Sequence, residues 1–421
     1  GVANVTITIN DGTNLNTYTF KVTVVPTPSY YWNILAGSSA GTAGTTNATG
    51  TSASFSGPTG LVKDSQGNYF VTDTTNNLIR KITPQGVVTT FAGFGGTGAF
   101  LDGAGTAAKF NSPQGLAIDS SDNLYVADFG NNRIRKIDTA GNVTTIAGTG
   151  VASSLDGAAL SATMRGPTGI AVDSTGTVYW ADKTTSVIRK LQGGQVTTIA
   201  GSSGLTGTTD GTGSDARFNL PTFLTINNAG NLVVNDATNL SYRQVTPAGV
   251  VTTLFSYTSG ATAVGVDAQG NIYAGLSSNT LSLMSSFDTT TIMGTGTAGS
   301  AIAVNTAATV GSTRQMVFLS DGTIVIADNT RNNIRVGAPI PSLMNPGKQI
   351  VLADQLLTFD NVALEGLGIQ SNGYPEPLSI TLTVTKGVFS LSQTTGLTFT
   401  TGDGTNDTTM TFTGSMANIN T

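Results

Sequence analysis

Aspartate is the residue type left to do chemistry in this chain: its 421 residues include no histidine and no cysteine, and the only two glutamates are Glu365 and Glu376. Without imidazole or thiol there can be no His-centred acid–base pair, no thiolate nucleophile, no disulfide and no His- or Cys-ligated metal. The aspartates, by contrast, recur. Asp73, Asp128, Asp182, Asp236 and Asp328 each close a short apolar run, and Arg80, Arg135, Arg189, Arg243 and Arg335 stand at matching places in the runs that follow. A catalytic group is rarely copied into every repeat, so the carboxylates read as structural, accepting backbone or arginine hydrogen bonds where a strand meets its loop. A cation held among them is the alternative.

A second set of carboxylates lies in Gly-rich inserts such as FGGTGAFLDGAGTAAK, where Asp102-Gly103, Asp156-Gly157 and Asp210-Gly211 recur at intervals of 54 residues. One reading is a tight Asp-Gly turn in each insert. The other is a shared ligand surface made by Asp102, Asp156 and Asp210 with Asn131 and Asn132 of the neighbouring 129–132 loop. Near the C-terminal end, Asp354, Asp360, Asp403 and Asp407 can offer oxygens to calcium, a cation that takes six to eight of them. Their spacing matches neither an EF-hand nor a Gly-rich nonapeptide repeat, which leaves ordinary turn residues as the plainer reading. No cofactor is required by the sequence, and calcium is the one candidate.

The elements that must carry these residues form a repeat. Pro58, Pro113, Pro167 and Pro221 fall 55, 54 and 54 residues apart, and each unit holds four apolar runs, as in GLAID, NLYVAD, RIRKID and VTTIAG. Four antiparallel strands per unit make one blade of a propeller, whose two faces are buried only between neighbouring blades. Weaker units at 261–294 and 314–336 bring the number to six. The last unit lacks its outer strand, and YYWNILAG (30–37) has a strand but no unit, so residues 31–36 are expected to pair with 333–336 and close the ring. The composition agrees: 53 glycines, 10% charged residues and no sustained helical period describe an all-β chain.

The recurring P-x-G-[LI], the [AT]-D after the second strand and the I-R-K of the third resemble the NHL repeat family over roughly residues 30 to 338, which implies a six-bladed β-propeller. VYWAD at 178–182 is similar to the related YWTD propellers. Propellers of this general shape include lyases and lactonases with a channel metal held by His, Glu, Asp or Asn. That resemblance fails here for want of His, and because both glutamates lie outside the ring. Some NHL proteins bind RNA through basic surfaces. In this ring 16 bases face 17 acids, so counterion release offers little affinity for nucleic acid.

Residues 1–26 resemble the last hairpin of a bacterial immunoglobulin-like or cadherin-like module, and 347–421 resemble the first part of a cadherin-like one. The expected architecture is therefore β-sandwich fragments on either side of a propeller at 30–339, joined by short proline-bearing linkers. An opening at Gly1, without Met or leader, reads as an interior piece of a longer protein. The function that follows is a structural or adhesive segment of an extracellular, cell-surface protein, with the ring as binding or spacer module and no enzyme activity. Its partners would be surface protein, carbohydrate or copies of itself, without nucleic acid or membrane insertion. An extracellular propeller hydrolase or lyase using Asp, Asn, Arg and Tyr is the rival, and a self-assembling filament or layer the third reading. The inserts and the 129–132 type loops should share one face of the ring, and the linkers should leave from the other.

Overall fold

The computed structural model describes residues 2–10, 15–23, 30–257, 260–284, 289–339, 356–358, 378–383, 397–401 and 409–414. They belong to two units, Tyr30–Pro339 and the combined flanks Gly1–Ser29 and Ile340–Thr421.

In the first unit the turn chemistry of the repeat sets the strand lengths. Between the first two strands of blade one, Asp64 accepts the backbone N–H groups of Gln66 and Asn68, and Gly67 takes a left-handed φ of 89°. An Asx turn of this kind ends one strand and reverses the chain into the next. The outcome is six antiparallel sheets, whose innermost strands are Pro58–Lys63, Pro113–Ile118, Pro167–Val172, Pro221–Ile226, Ala261–Val266 and Thr313–Phe318 in blades one to six. Blade two continues outward through Leu124–Asp128, Arg133–Ile137 and Asn142–Ala147, in the register Val126↔Arg135 and Arg135↔Thr145. Six apolar clusters fill the wedges between neighbouring blades; Leu61, Phe55, Ile334 and Val325, for example, join blade six to blade one.

The ring closes through its first strand. Tyr30–Gly37 lies beside Asn333–Pro339, with Tyr30 opposite Pro339 and Gly37 opposite Asn333. Trp32 is fully buried there, on a surface left flat by Gly337, where a Cβ would stand 2.8 Å from the indole. Strand direction puts Tyr30 and Pro339, where the chain enters and leaves the ring, at the end opposite the insert that follows Gly37.

The inserts do more than turn. Gly103–Ala104, Gly157–Ala158, Gly211–Thr212 and Ala303–Val304 each add a fifth strand outside the fourth strand of the blade that follows. In blade one this shrinks to a single bridge, Thr49↔Val87. The added strand covers N–H and C=O groups that a bare edge would expose. Each insert then drops an apolar anchor between blades: Phe55, Phe110, Met164, Phe218 or Val310, all at most 1% exposed. Blade five keeps four strands, because Ser256 and Ala261 leave too little chain between them for an insert.

In the flanking unit, Val2–Asn10 pairs with Leu15–Thr23, and the same strand pairs with Leu356–Thr358 of its own chain. Leu378–Thr383, Thr409–Gly414 and Leu397–Thr401 form a second small sheet. The expected sandwich rests largely on positions outside the described residues.

Candidate functional site

Each recurring arginine lies buried inside its blade, and in blades two to four it is caught between two carboxylates. Arg135 is wholly buried; its Nη1 donates to Asp128 Oδ2 at 2.8 Å and its Nη2 to Asp102 Oδ1 at 2.6 Å, from opposite sides. The carbonyls of Lys109 and Leu101 accept its remaining Nη protons, and the guanidinium carbon stands 5.1 Å from the Phe110 ring centroid. Arg189 and Arg243 repeat the arrangement with Asp182 and Asp156, and with Asp236 and Asp210. The insert carboxylate also accepts from the fourth strand: the N–H groups of Thr145, Thr198 and Thr253 donate to Asp102, Asp156 and Asp210. Burial pushes the Asp128 carboxyl up from its ordinary range, and Arg135, Asn131 and the Asn111 N–H pull it back.

The exceptions follow the sequence. In blade one Asn47 replaces the insert aspartate and accepts Arg80 Nη2 at 2.8 Å. In blade six Ile302 stands there, and Arg335 is held by the carbonyls of Thr309 and Ala301. Asp328, fully buried and without a hydrogen bond from Arg335, is pushed up to about 6 by desolvation. Blade five carries Leu276 and Ser282 at the two positions, so the network is missing.

The asparagines are joints as well. Asn131 donates to Asp128 Oδ2 and to the Ala99 carbonyl, both at 2.8 Å. Asn132 has the left-handed φ of 50° that Asn tolerates, which aims its Oδ1 at the Gly166 N–H of the next blade, 3.0 Å away. Asn77 and Asn332 hold Ser112 and Gly57 in the same way, the latter across the ring closure.

Of the residues expected to form a ligand rim, Asp102, Asp156 and Asp210 each bond the arginine of their own blade while keeping side chains 42% to 48% exposed, and Asn131 and Asn132 bond the adjoining loops and the next blade. The inserts also turn apolar side chains outward, with Phe94, Val151, Leu155, Leu160 and Leu205 between 54% and 72% exposed. Asp354, Asp360, Asp403 and Asp407 lie outside the described residues.

The channel is narrow. Gly60, Gly115 and Gly169 let the inner strands of blades one to four approach so closely that a Cβ at any of them would meet backbone at 2.3 to 2.6 Å. Gln315 then spans the axis from blade six to blade two, with Nε2 donating to the Leu116 carbonyl at 2.7 Å and Oε1 accepting its N–H at 3.3 Å. A cavity of about 650 Å³ opens on the face away from the inserts; Lys63, Asp64, Asp267, Asp321 and Phe318 are among its lining residues. Its carboxylates serve their own turns: Asp64 accepts the Asn68 N–H and Asp267 that of Asn271. Gln315 was missed by sequence reasoning, although a Gln where blades one to three have Gly was the available sign.

The NHL repeat model matches residues 110–137, which span the first three strands of blade two. NHL repeat-containing protein 2 of Bos taurus is 32% identical over 157 residues, covering 33% of this chain and 21% of that protein. Teneurin-1 of Gallus gallus is 37% identical over 135 residues, covering 27% of this chain and 5% of that protein. The chain thus spans a small part of the curated relatives it matches. Among solved structures, a structural-genomics protein of unknown function from Bacteroides thetaiotaomicron superposes with a TM-score of 0.57 at 16% identity, covering 80% of this chain and 90% of that one. At such identity the likeness shows the fold alone. Residues 30–339 form a six-bladed β-propeller, and the chain carries an NHL repeat.

Proposed function

We propose that the ring is a non-catalytic binding and spacing module of a larger extracellular protein, one that engages protein or carbohydrate at a cell surface. The observation that carries this reading is the placement of the carboxylates: four of the five that recur deep in the blades are matched to the repeat's own arginines, not gathered where a substrate could meet them. General acid–base chemistry needs a titratable group within reach of the reacting atoms, and Gln315 obstructs the channel in which related shapes hold theirs. Matches to short segments of much longer proteins support a module within a chain of many parts. Entry and exit side by side, at Tyr30 and Pro339, suit a ring hung from one point. No cofactor is needed in this reading, and calcium, if used, belongs to the flanks.

The test sets the full chain against a panel of lactone and glycoside substrates and, separately, against arrays of glycans and surface proteins. We expect no turnover, and capture that survives chelation of calcium. Turnover abolished by substitutions in the ring would overturn the reading in favour of a hydrolase or lyase.

A further inference from the structure

On the face away from the inserts, each inner strand ends in a half-buried residue: Lys63, Ile118, Val172, Ile226, Val266 and Phe318 in blades one to six. Five are apolar and one is a cation. All six line a hollow made of two adjoining spaces, the cavity of about 650 Å³ at the mouth and a well of about 240 Å³, which share Val62, Ile118, Gln315 and Met316. Every blade contributes to the well, since Leu116, Ile170, Leu224 and Val264 line it too, and among its lining residues only Thr225 and Gln315 are polar. Gln315 crosses the axis here with both ends of its amide engaged by Leu116. Walls that water can reach but cannot hydrogen-bond favour an apolar guest.

The mouth is charged, and unevenly. Its lining residues set the carboxylates of Asp64, Asp267 and Asp321 against the single ammonium of Lys63. Each carboxylate belongs to the turn between the first two strands of its blade: Asp64 accepts the Asn68 N–H at 2.7 Å, Asp267 the Asn271 N–H at 2.8 Å and Asp321 the Thr323 N–H at 2.9 Å. These donors are neutral, so they fix the carboxylates in place without cancelling their charge. Asp64 and Asp267 are half-buried and Asp321 is exposed. An excess of negative charge over a hollow with apolar walls concentrates the field there and favours a cation.

We propose that this hollow binds a small organic cation with an apolar body, an alkyl- or aryl-ammonium ion. The body occupies the well inside the six strand ends, and the ammonium stays at the mouth among Asp64, Asp267 and Asp321, where it keeps contact with water as well as with the carboxylates. An uncharged guest of the same shape would use only the walls, and an anion would be opposed by the rim. The site lies on the face opposite the inserts and stands independently of the module reading.

Calorimetric titration of the full chain compares hexylammonium, hexanol and hexanoate, which share one apolar chain and differ in charge, at matched pH and ionic strength. Hexylammonium should bind tightest and hexanoate weakest, with the difference shrinking as salt is added. Asp64→Asn combined with Asp321→Asn should weaken hexylammonium by about fivefold and leave hexanol unchanged. Asparagine keeps this turn, because Asn227 already stands there in blade four and accepts the N–H groups of Ala229 and Asn231. Val172→Phe, which puts in blade three the residue type that Phe318 supplies at the same strand position in blade six, should fill the well and weaken hexylammonium and hexanol alike. No binding by any of the three, hexanol or hexanoate bound as tightly as hexylammonium, or unchanged hexylammonium affinity in both variant chains would overturn the proposal.

Discussion

Arg135 meets two carboxylates of unequal exposure: Asp128 has none, whereas the side chain of Asp102 is 42% exposed. Removing one partner of a fully buried pair strands a charge in a poor solvent, so Asp128→Ala should cost about 3–5 kcal/mol. Solvent screens the other contact, and Asp102→Ala should cost about 1 kcal/mol. Urea unfolding of the two variants checks the order, and equal losses would refute this account of the sandwich. Blade one offers the converse. Asn47→Asp would give Arg80 the ionised acceptor that blades two to four have, and charge-assisted bonds are the stronger kind; a gain of at most about 1 kcal/mol is expected in the same measurement. Asp328 bears on pH. Its folded-state pKa of about 6 lies above the ordinary value of 3.8, so the folded chain binds the extra proton and stability falls as pH rises from about 4 to about 6. The drop is on the order of 3 kcal/mol at most. Asp182, also pushed up to about 6 by burial, acts in the same window, so Asp328→Asn should lessen the slope of that segment of a melting-temperature profile without abolishing it. Below it the turn aspartates act in the opposite sense. The Asn142 amide holds Asp138, and the Thr323 N–H holds Asp321, below the usual carboxylate range, so their contribution is lost as pH falls.

Among the elements, the closing strand and the inserts are where local pattern and long-range need meet. Tyr30–Gly37 has an alternating apolar face, but its partner in the sheet lies about 300 residues away; a strand without a hairpin neighbour is ordered only by the ring it completes. Trp32 gives that strand its hold, fully buried against Gly337 and donating its indole N–H to the Ile292 carbonyl of blade five. Trp32→Ala should therefore cost about 3–5 kcal/mol, the range for a large aromatic removed from a packed core. A melting temperature unchanged by the substitution would show that blade six holds its shape without the closure. The inserts were legible as repeated Asp-Gly steps but not as strands. Two residues of Gly-Ala or Gly-Thr carry no strand signal, and they become strands because an outer edge needs covering and the Asp-Arg contact sets their register.

At the scale of the whole ring, the joints are uneven. Asn77, Asn132, Ser186 and Asn332 clamp four of the six blade junctions by accepting an N–H at the start of the next blade. The junctions on either side of blade five have Leu240 and Asn279 at that position, neither of them bonded to the next blade's start, and blade five also lacks the buried arginine and the fifth strand. Local opening is cheapest where buried polar contacts and edge cover are fewest. Hydrogen exchange should thus find the amides of 261–284 exchanging faster than those of 113–147, although both belong to blades of one ring. Equal protection would mean that apolar wedge packing alone sets the stability of the joints.

The four-strand repeat, the number of blades, the strand that closes them, and the absence of any imidazole or thiol chemistry are consequences of residue type and spacing. Alternating apolar runs and Asp/Gly/Asn turns act over a few residues, and a period near 54 repeats the same solution. Where the side chains of different blades meet was left to tertiary structure. Arg135 meets its insert carboxylate only once the insert has folded back as a fifth strand, and Gln315 reaches Leu116 across the axis only once the ring has closed. Closure brings together residues whose separation along the chain follows no local rule, so their contacts have no period for a sequence to display.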